Sequence, residues 1–290
     1  MQIDVLGILD VRENGVSIAP TAPKPRQVLA LLALHADQVV PVFALTDELW
    51  AGRPPRSART TLQTYVLQLR DLITLALEQE TSAEPESEPR RSAKDVLVTA
   101  PGGYMLVSGG GASDVREFER LAGMGYRAID AGDHKEASRL LREALGLWTG
   151  PAFADVHNGA RLEMEAKRLE ESRLCALDQR IEADLRLGRH RELLAELTVL
   201  TSRYRTHENL HAQFMLALHR SGRRGEALEV YHRLRGTLVR DLGLEPSARL
   251  RRLQQSILVA APEGPLTAES QQSATAPLAP ARAGSGARYA

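Results

Sequence analysis

The sequence predicts a mainly α-helical protein with two parts, a small N-terminal α+β domain and a longer all-α domain built from repeats. Short alternating segments typical of strands lie before residue 108. Helical periodicity dominates from Asp114 onward, and a glycine-centred segment recurs there three times. The 290 residues are enough for two domains with their own cores.

Composition limits the possible classes of protein. The 37 basic and 37 acidic residues balance, so there is no overall basic signal for nucleic acid. A specific DNA-binding protein needs only a local basic patch, however, so this class remains open. The single cysteine, Cys175, excludes an intrachain disulfide and favours a reducing compartment. With no signal-peptide pattern and no apolar run near the ~20 residues of a membrane span, we expect a cytoplasmic protein.

The first hundred residues contain the elements of a winged helix-turn-helix. Residues 2–19 alternate like short strands. A first helix is expected at 25–36, and a second opens at Pro41 and ends in the breaker run 51–55. The strands 96–99 and 104–107 would form a hairpin after the third helix. In this fold the third helix enters the major groove and the hairpin wing lies along an adjacent groove or the backbone.

The third predicted helix, residues 56–77, has two distinct sides. Helical spacing places Leu62, Val66, Leu69 and Ile73 in one apolar stripe. The opposite side collects polar side chains, with Arg59 on its flank: Arg56, Ser57, Thr60, Gln63, Thr64 and Gln68. These residue types pair with phosphate oxygens and base edges, so the helix is a candidate recognition helix. Taken alone, it fits an ordinary amphipathic surface helix equally well.

The second part repeats one helix-turn-helix unit. Its three copies are centred on Gly132, Gly188 and Gly222, and apolar residues follow each glycine at matching offsets. The last two glycines are 34 residues apart, which is the tetratricopeptide period, and the first step holds an insertion of 22 that includes 149–154. Such repeats bury their faces by stacking and leave a concave groove for a partner.

The order of these motifs resembles one known family. The motifs are Leu49-Trp50, Pro54-Pro55, Ser57-Ala58-Arg59, Leu62-Gln63-Thr64-Tyr65-Val66 and Pro101-Gly102-Gly103-Tyr104. Residues 1–108 resemble the OmpR-type winged helix of the actinobacterial antibiotic regulatory proteins, the SARP family. Residues 113–258 resemble that family's bacterial transcriptional activator domain. Within them, the segment 240–247 closely resembles the closing segment of that domain. The acidic stretch 78–95 departs from the family, and we expect it to be a disordered insertion that swings away from DNA, with a disordered tail at 261–290.

The resemblance implies a sequence-specific transcriptional activator, expected to serve an antibiotic biosynthesis cluster. It would bind promoter direct repeats as two protomers side by side and contact RNA polymerase, including the sigma factor. Contacts with double-stranded DNA are expected from the third helix, the first helix start and the wing: Arg56, Ser57, Arg59, Thr60, Gln63, Thr64, Gln68, Lys24, Arg26, Gly102, Gly103 and Tyr104. Polymerase contacts are expected from the turn Arg53, Pro54 and Pro55. No catalytic residue, cofactor or metal is expected.

Two alternatives remain. The chain could be a repeat scaffold that binds a peptide without specific DNA binding. The segment His207-Glu208-Asn209-Leu210-His211 also matches the zinc-hydrolase pattern, but zinc would need a third ligand. A capped helix start explains these five residues better. The loop 101–104 lacks a Walker lysine, which excludes a P-loop nucleotide hydrolase.

Overall fold

The computed structural model describes residues 1–79 and 91–259. Seven strands lie in these ranges: β1 (Gln2–Asp4), β2 (Asp10–Glu13), β3 (Val16–Ser17), β4 (Val40–Pro41), β5 (Leu97–Ala100), β6 (Gly103–Leu106) and β7 (Ala112–Ser113). One sheet has the order β3-β2-β1-β7, with β1 antiparallel to β2 and parallel to β7. The other has the order β4-β6-β5 and is antiparallel. The strand β4 was not predicted, because two residues are too few to show an alternating pattern.

Three helices precede the wing hairpin in the N-terminal part, besides the short helix before β5: α1 (Pro23–Leu34), α2 (Val42–Trp50) and α3 (Ala58–Glu78). Prolines at the start of α1 fit there because the first turn needs no N–H partners. Ala51, at a φ of 48°, and Gly52, at 74°, adopt the left-handed conformation that ends α2. The chain then turns and begins α3. This is the predicted winged helix-turn-helix.

From Asp114 onward the regular elements in the described residues are helices: α5 (Asp114–Asp130), α6 (His134–Gly146), α7 (Ala160–Arg186), α8 (Leu194–Arg203), α9 (Glu208–Arg220), α10 (Arg224–Leu242) and α11 (Ala248–Val259). Gly132, Gly188 and Gly222 each follow the first helix of a pair, with φ between 76° and 78°. Each of the three predicted copies is thus a pair of helices joined at its glycine. Only glycine adopts this conformation without steric cost.

The predicted acidic insertion is ordered at both ends, contrary to expectation. Helix α3 continues through Glu78, and α4 (Ala93–Val96) begins with a capping box between Ser92 and Asp95. Arg91 donates to the Glu13 carboxylate at 2.9 Å. Local capping and this long-range ion pair, neither of which composition reveals, account for the order. Residues 80–90 and the predicted tail lie outside the described ranges.

The inserted segment in the repeat domain joins the two parts. Its backbone N–H groups donate to the turn between β1 and β2, from Thr149 to Leu6 (2.9 Å), Phe153 to Val5 (2.9 Å) and Ala154 to Gly7 (2.8 Å). A Cβ on Gly7 would lie 1.9 Å from the Thr149 hydroxyl, so this position has room only for glycine. The insertion is therefore an interdomain contact.

Three carboxylates strengthen the same junction by accepting backbone N–H groups across it. Asp114, at the start of α5, accepts from Val5 (2.6 Å) and Leu6 (2.7 Å). Asp155 accepts from Leu9 at 2.8 Å. The buried Glu48 on α2 accepts from Gly159 (2.6 Å), Arg161 (2.8 Å) and Leu162 (3.2 Å), the first free N–H groups of α7. A side chain of the winged helix therefore caps a helix of the repeat domain.

Buried apolar side chains form two clusters that do not follow the domain boundary. The first extends from Ile3 to Ala176 and includes Phe118, Trp148 and Phe153 beside the core of the winged helix. The second extends from Leu174 to Ile257. The division falls within α7, so the first helical pair shares the N-terminal core. Among the described helices, none combines the length and apolarity needed to cross a membrane.

Candidate nucleic-acid interface

Helix α3 has one buried side and one exposed side. Leu62, Val66, Leu69 and Ile73 are buried, as the periodicity predicted. Seven polar residues named for DNA contact are all exposed: Arg56, Ser57, Arg59, Thr60, Gln63, Thr64 and Gln68. The repeat domain does not cover this side. The face is therefore accessible to a duplex, and its contacts with DNA stay a prediction.

Most donors on this face have no partner within the protein. Arg56, Arg59, Gln63 and Gln68 make no side-chain hydrogen bond or ion pair with any residue in the described ranges. The Thr64 hydroxyl donates to the Thr60 carbonyl at 3.1 Å, as threonine often does within a helix. Arginine and glutamine can make bidentate contacts with guanine and adenine in the major groove.

The N-terminal end of α3 favours negative charge. Its first turn contains no acidic residue, and the positive end of the helix dipole lies there. Arg53, Arg56 and Arg59 surround this end and are exposed. Helix N-termini with arginine nearby bind phosphate well, because N–H groups and guanidinium groups act on the same anion. The first acidic residue on the helix, Asp71, comes three turns later.

Two further residues of α3 were missed by sequence reasoning. Leu67 is 58% exposed on the polar side, where an apolar group can contact a thymine methyl. Arg70 donates to the Leu97 carbonyl at 2.7 Å and to the Thr99 hydroxyl at 2.8 Å. These two bonds set the position of the wing relative to α3. The sequence contains no local pattern that predicts these bonds, because Leu97 and Thr99 are nearly thirty residues from Arg70.

The wing corrects part of the predicted site. Pro101 and Gly102 form the exposed tip, and Gly102 has a φ of 80°. Gly103 instead lies in β6, where a Cβ would come within 2.3 Å of the Val40 carbonyl. Tyr104 is only 8% exposed and belongs to the N-terminal core. Its backbone follows the hairpin as predicted, but its side chain points inward, so it is a core residue.

The two basic residues at the start of α1 also contact protein. The Lys24 ammonium donates to the Leu49 carbonyl at the end of α2, although the residue is exposed. Arg26 donates to the carbonyls of Leu9 (2.9 Å) and Pro20 (3.1 Å) and pairs with Asp155, and its side chain is 16% exposed. Arg26 therefore belongs to the interdomain junction, and we do not include it in the proposed DNA surface.

The histidines of the zinc-like pattern have structural surroundings. His207 caps α9, since its Nδ1 accepts the Leu210 N–H at 3.3 Å, which confirms the capped helix start. His211 is buried, its Nδ1 lies 3.1 Å from the His207 carbonyl, and burial lowers its pKa. Among residues 1–79 and 91–259, no group of three His, Cys, Asp or Glu could hold a metal ion.

Comparisons with known proteins agree with this architecture. Residues 113–258 match the family described as bacterial transcriptional activator domain. The chain is 56% identical to the regulatory protein DnrI of Streptomyces peucetius, over 90% of this chain and 93% of that protein. It is 36% identical to the regulatory protein AfsR of Streptomyces coelicolor over 97% of this chain, but spans only 27% of AfsR.

A solved structure extends the match to three dimensions. Mycobacterium tuberculosis EmbR, solved in complex with a low affinity phosphopeptide, superposes with a TM-score of 0.77 at 33% identity, covering 89% of this chain and 64% of that one. Sequence and fold therefore agree over most of this chain. The chain belongs to the antibiotic regulatory protein (SARP) family and is a transcriptional activator that joins an OmpR-type winged helix to a bacterial transcriptional activator domain.

Proposed function

We propose that the protein binds promoter DNA sequence-specifically through α3 and the wing tip, as two protomers side by side on direct repeats. It then recruits RNA polymerase to an antibiotic biosynthesis cluster. The observation that carries the proposal is the exposed polar side of α3, whose guanidinium and amide groups have no partners in the described chain while its apolar side is buried. The names of DnrI and AfsR as regulatory proteins support the same role.

Each part of the surface has its own role in this proposal. Arg56, Arg59 and the N-terminal N–H groups of α3 hold phosphates, and Gln63, Thr64 and Gln68 read base edges. The exposed tip at Pro101 and Gly102 lies along the backbone beside the groove. Arg70 holds the wing so that both elements meet one duplex. Phosphate contacts supply affinity, and base contacts supply the preference for one sequence.

Footprinting on the promoters that neighbour the protein's own gene tests DNA recognition. We expect protection of two direct repeats spaced by about one helical turn, with affinity that falls as salt rises. Shuffled DNA of the same composition is the control. Equal affinity for promoter and shuffled DNA would contradict the proposal and favour the repeat scaffold, which binds a peptide alone.

Recruitment requires a second surface, for which we propose the exposed turn Arg53, Pro54 and Pro55 between α2 and α3. A variant with all three residues changed to alanine should keep promoter affinity and lose activation in transcription reconstituted with sigma-containing polymerase. A contact of about 1.4 kcal/mol changes occupancy tenfold, so a small surface is enough. Unchanged activation by this variant would exclude the turn as the polymerase contact.

A further inference from the structure

A groove of about 490 Å³ opens between α6, α7 and α8, on elements that the proposed DNA surface does not use. Four arginines line it: Arg142, Arg173, Arg180 and Arg203. Leucines from all three helices, including Leu177 and Leu200, provide its apolar lining. We call it the α6–α8 groove. It combines guanidinium groups with an apolar surface, which suits a ligand that carries both acidic and apolar groups.

Two carboxylates, the buried Asp184 and the partly exposed Glu196, hold two of these arginines in place. Arg180 is 5% exposed and donates to Glu196 at 2.8 Å and to Asp184 at 3.3 Å. Asp184 is fully buried and also accepts from Arg142 at 2.5 Å. These arginines keep defined positions before any ligand arrives. Preorganised donors bind more tightly because less side-chain freedom is lost on binding.

The other two arginines rest on aromatic rings. The Arg173 guanidinium lies 4.7 Å from the Trp148 ring centroid, and that of Arg203 lies 5.4 Å from Tyr204. Arg203 is exposed and has no ion-pair partner among the described residues. Many surface arginines of this domain pair with a glutamate on the same helix instead, such as Arg139 with Glu136. The charge of Arg203 is therefore uncompensated.

The next repeat shows that stacking does not require arginine at these positions. A similar groove of about 450 Å³ lies between α8, α9 and α10. There, 34 residues further along the chain, Phe214 occupies the place of Arg180 and Thr237 the place of Arg203. The same packing is thus made without arginine at these two positions, although Arg205 and Arg233 line the second groove elsewhere. Arg142 and Arg180 are explained by their ion pairs with Asp184, whereas the fold does not require an arginine at position 203.

We propose that the α6–α8 groove binds an acidic, leucine-bearing peptide segment of a partner protein. Glu170, Asp184 and Glu196 face the four arginines and also Arg189, which pairs with Asp184, so the cluster keeps a net positive charge. Of the arginines that line the groove, Arg203 is the one without an ion-pair partner in the described ranges. An acidic side chain on the peptide would pair with Arg203, and its leucines would cover Leu177 and Leu200. Amphipathic segments commonly dock in this way, with apolar anchors in the groove and charges at its rim.

The lining favours a peptide over the other anionic ligands. A DNA backbone offers phosphates but no apolar groups to cover the leucines. A small anion would need only the guanidinium groups. The inference goes beyond the proposed DNA binding and does not depend on it, because no residue of α3 or the wing lines the groove.

The test is fluorescence anisotropy with the full chain and a labelled synthetic peptide of about 16 residues, with leucines at i, i+3, i+4 and i+7 and glutamates between them. Arg203→Glu should weaken binding on the order of tenfold, since it replaces attraction by repulsion. Arg203→Ala should weaken it by a smaller factor. The matched control is Arg127→Glu, an exposed arginine of α5 with no described ion pair, which should change the affinity less than about twofold.

Several results would overturn the proposal. The first is equal peptide affinity for Arg203→Glu and Arg127→Glu, and the second is equal affinity of the original chain for a peptide with serine at every leucine position. The third is full displacement of the peptide by citrate. The fourth is that Arg203→Glu loses affinity for shuffled DNA but keeps its affinity for the peptide. Because Arg203 contacts no described carboxylate, its replacement should lower the thermal transition only slightly, through the loss of its contact with the Tyr204 ring. Promoter affinity should also stay unchanged, which separates this inference from the proposed function.

Discussion

Two arginines near helix starts show how surroundings decide a residue's role. Arg26 and Arg59 lie in the first turns of α1 and α3, and both were named for DNA contact from sequence. In the structure, Arg26 donates hydrogen bonds to two backbone carbonyls and forms an ion pair with Asp155. Arg59 is exposed and has no partner among the described residues. The two side chains are identical, but acceptors within the protein lie near Arg26 and not near Arg59.

Replacing Arg59 by alanine should therefore weaken binding to promoter DNA by about 1–3 kcal/mol and leave stability unchanged. Arg26→Ala is the matched control, and it should lower the free energy of unfolding by about 1–3 kcal/mol, because buried acceptors lose their donors. Anisotropy with labelled promoter DNA and urea denaturation measure the two effects. If Arg59→Ala binds as tightly as the original chain, Arg59 makes no contact that matters.

The sequence predicted burial that depends on residue spacing within one helix. It did not predict side-chain contacts with residues far away in the chain. The buried stripe of α3 follows from helical spacing alone, and it is correct. The inward direction of Tyr104 depends on β4 lying against β6, and the use of Arg26 depends on Asp155, 129 residues away. The role of Glu48 as a cap likewise has no local signal. Side-chain partners across the junction could not be read from periodicity.

At the scale of elements, α7 begins where another domain supplies its cap. Gly159 precedes the helix without a capping side chain, and a Cβ there would lie 2.2 Å from the Glu48 carbonyl. The Glu48 carboxylate accepts three of the N–H groups that a helix start leaves free. A negative charge at this end also complements the helix dipole. One side chain thus fixes α7 against α2.

Glu48→Ala should lower the free energy of unfolding by about 2–3 kcal/mol, because buried N–H groups lose their acceptor. Glu48→Gln keeps the shape and one acceptor oxygen, so its effect should be smaller. Urea denaturation followed by circular dichroism measures both. Equal stability of Glu48→Ala and the original chain would show that water satisfies these groups.

Glycine substitutions in a repeat turn and inside a helix should have opposite effects on stability. Gly188→Ala places a Cβ in the left-handed conformation, at a φ of 78°, and should cost about 1 kcal/mol or more. Gly236 lies inside α10 with open space around it, so Gly236→Ala should raise stability by up to about 1 kcal/mol. Thermal unfolding of the two variants should therefore shift in opposite directions. A shift of both in the same direction would contradict the conformational explanation.

At the scale of the whole molecule, the winged helix and the first helical pair form one folding unit. Their apolar side chains belong to one cluster that ends within α7. A fragment of residues 1–112 would lose the packing of Phe118, Trp148 and Phe153 and expose the surface beneath them. Burial of each such side chain contributes roughly 2–3 kcal/mol. The start of the family match at residue 113 therefore does not separate two independently stable domains.

We expect the fragment 1–112 to unfold on the order of 10 °C below the fragment 1–188, which keeps the shared core. Differential scanning calorimetry of both fragments measures this difference. The longer fragment ends after α7, so it retains the junction carboxylates and the inserted segment. Equal unfolding temperatures would mean that the winged helix is stable without the helical pair.

The junction also predicts a pH dependence. Burial raises the pKa of Asp114 from 3.8 to about 6, against the opposing effect of the N–H groups of Leu6 and Val5. The native state then keeps this proton to a higher pH than the unfolded chain does. The free energy of unfolding should therefore fall as the pH rises from about 4 to about 6 and show no further change from this group above that.

The measurement is urea denaturation at several pH values, comparing the original chain with Asp114→Asn. The asparagine cannot titrate, so the difference between the two isolates Asp114 from the histidines. A difference that grows in favour of the original chain with rising pH would contradict this sign. It would mean that the N–H bonds outweigh burial.

The cap that α2 places on α7 has a consequence for promoters. Helix α3 and the repeat domain are held together at this junction, so in the proposed complex two copies on consecutive sites would meet at an angle and separation set by the protein. If the proposal holds, inserting half a turn of DNA between the sites should abolish cooperative occupancy. A full extra turn would restore the rotational phase but leave the two copies farther apart.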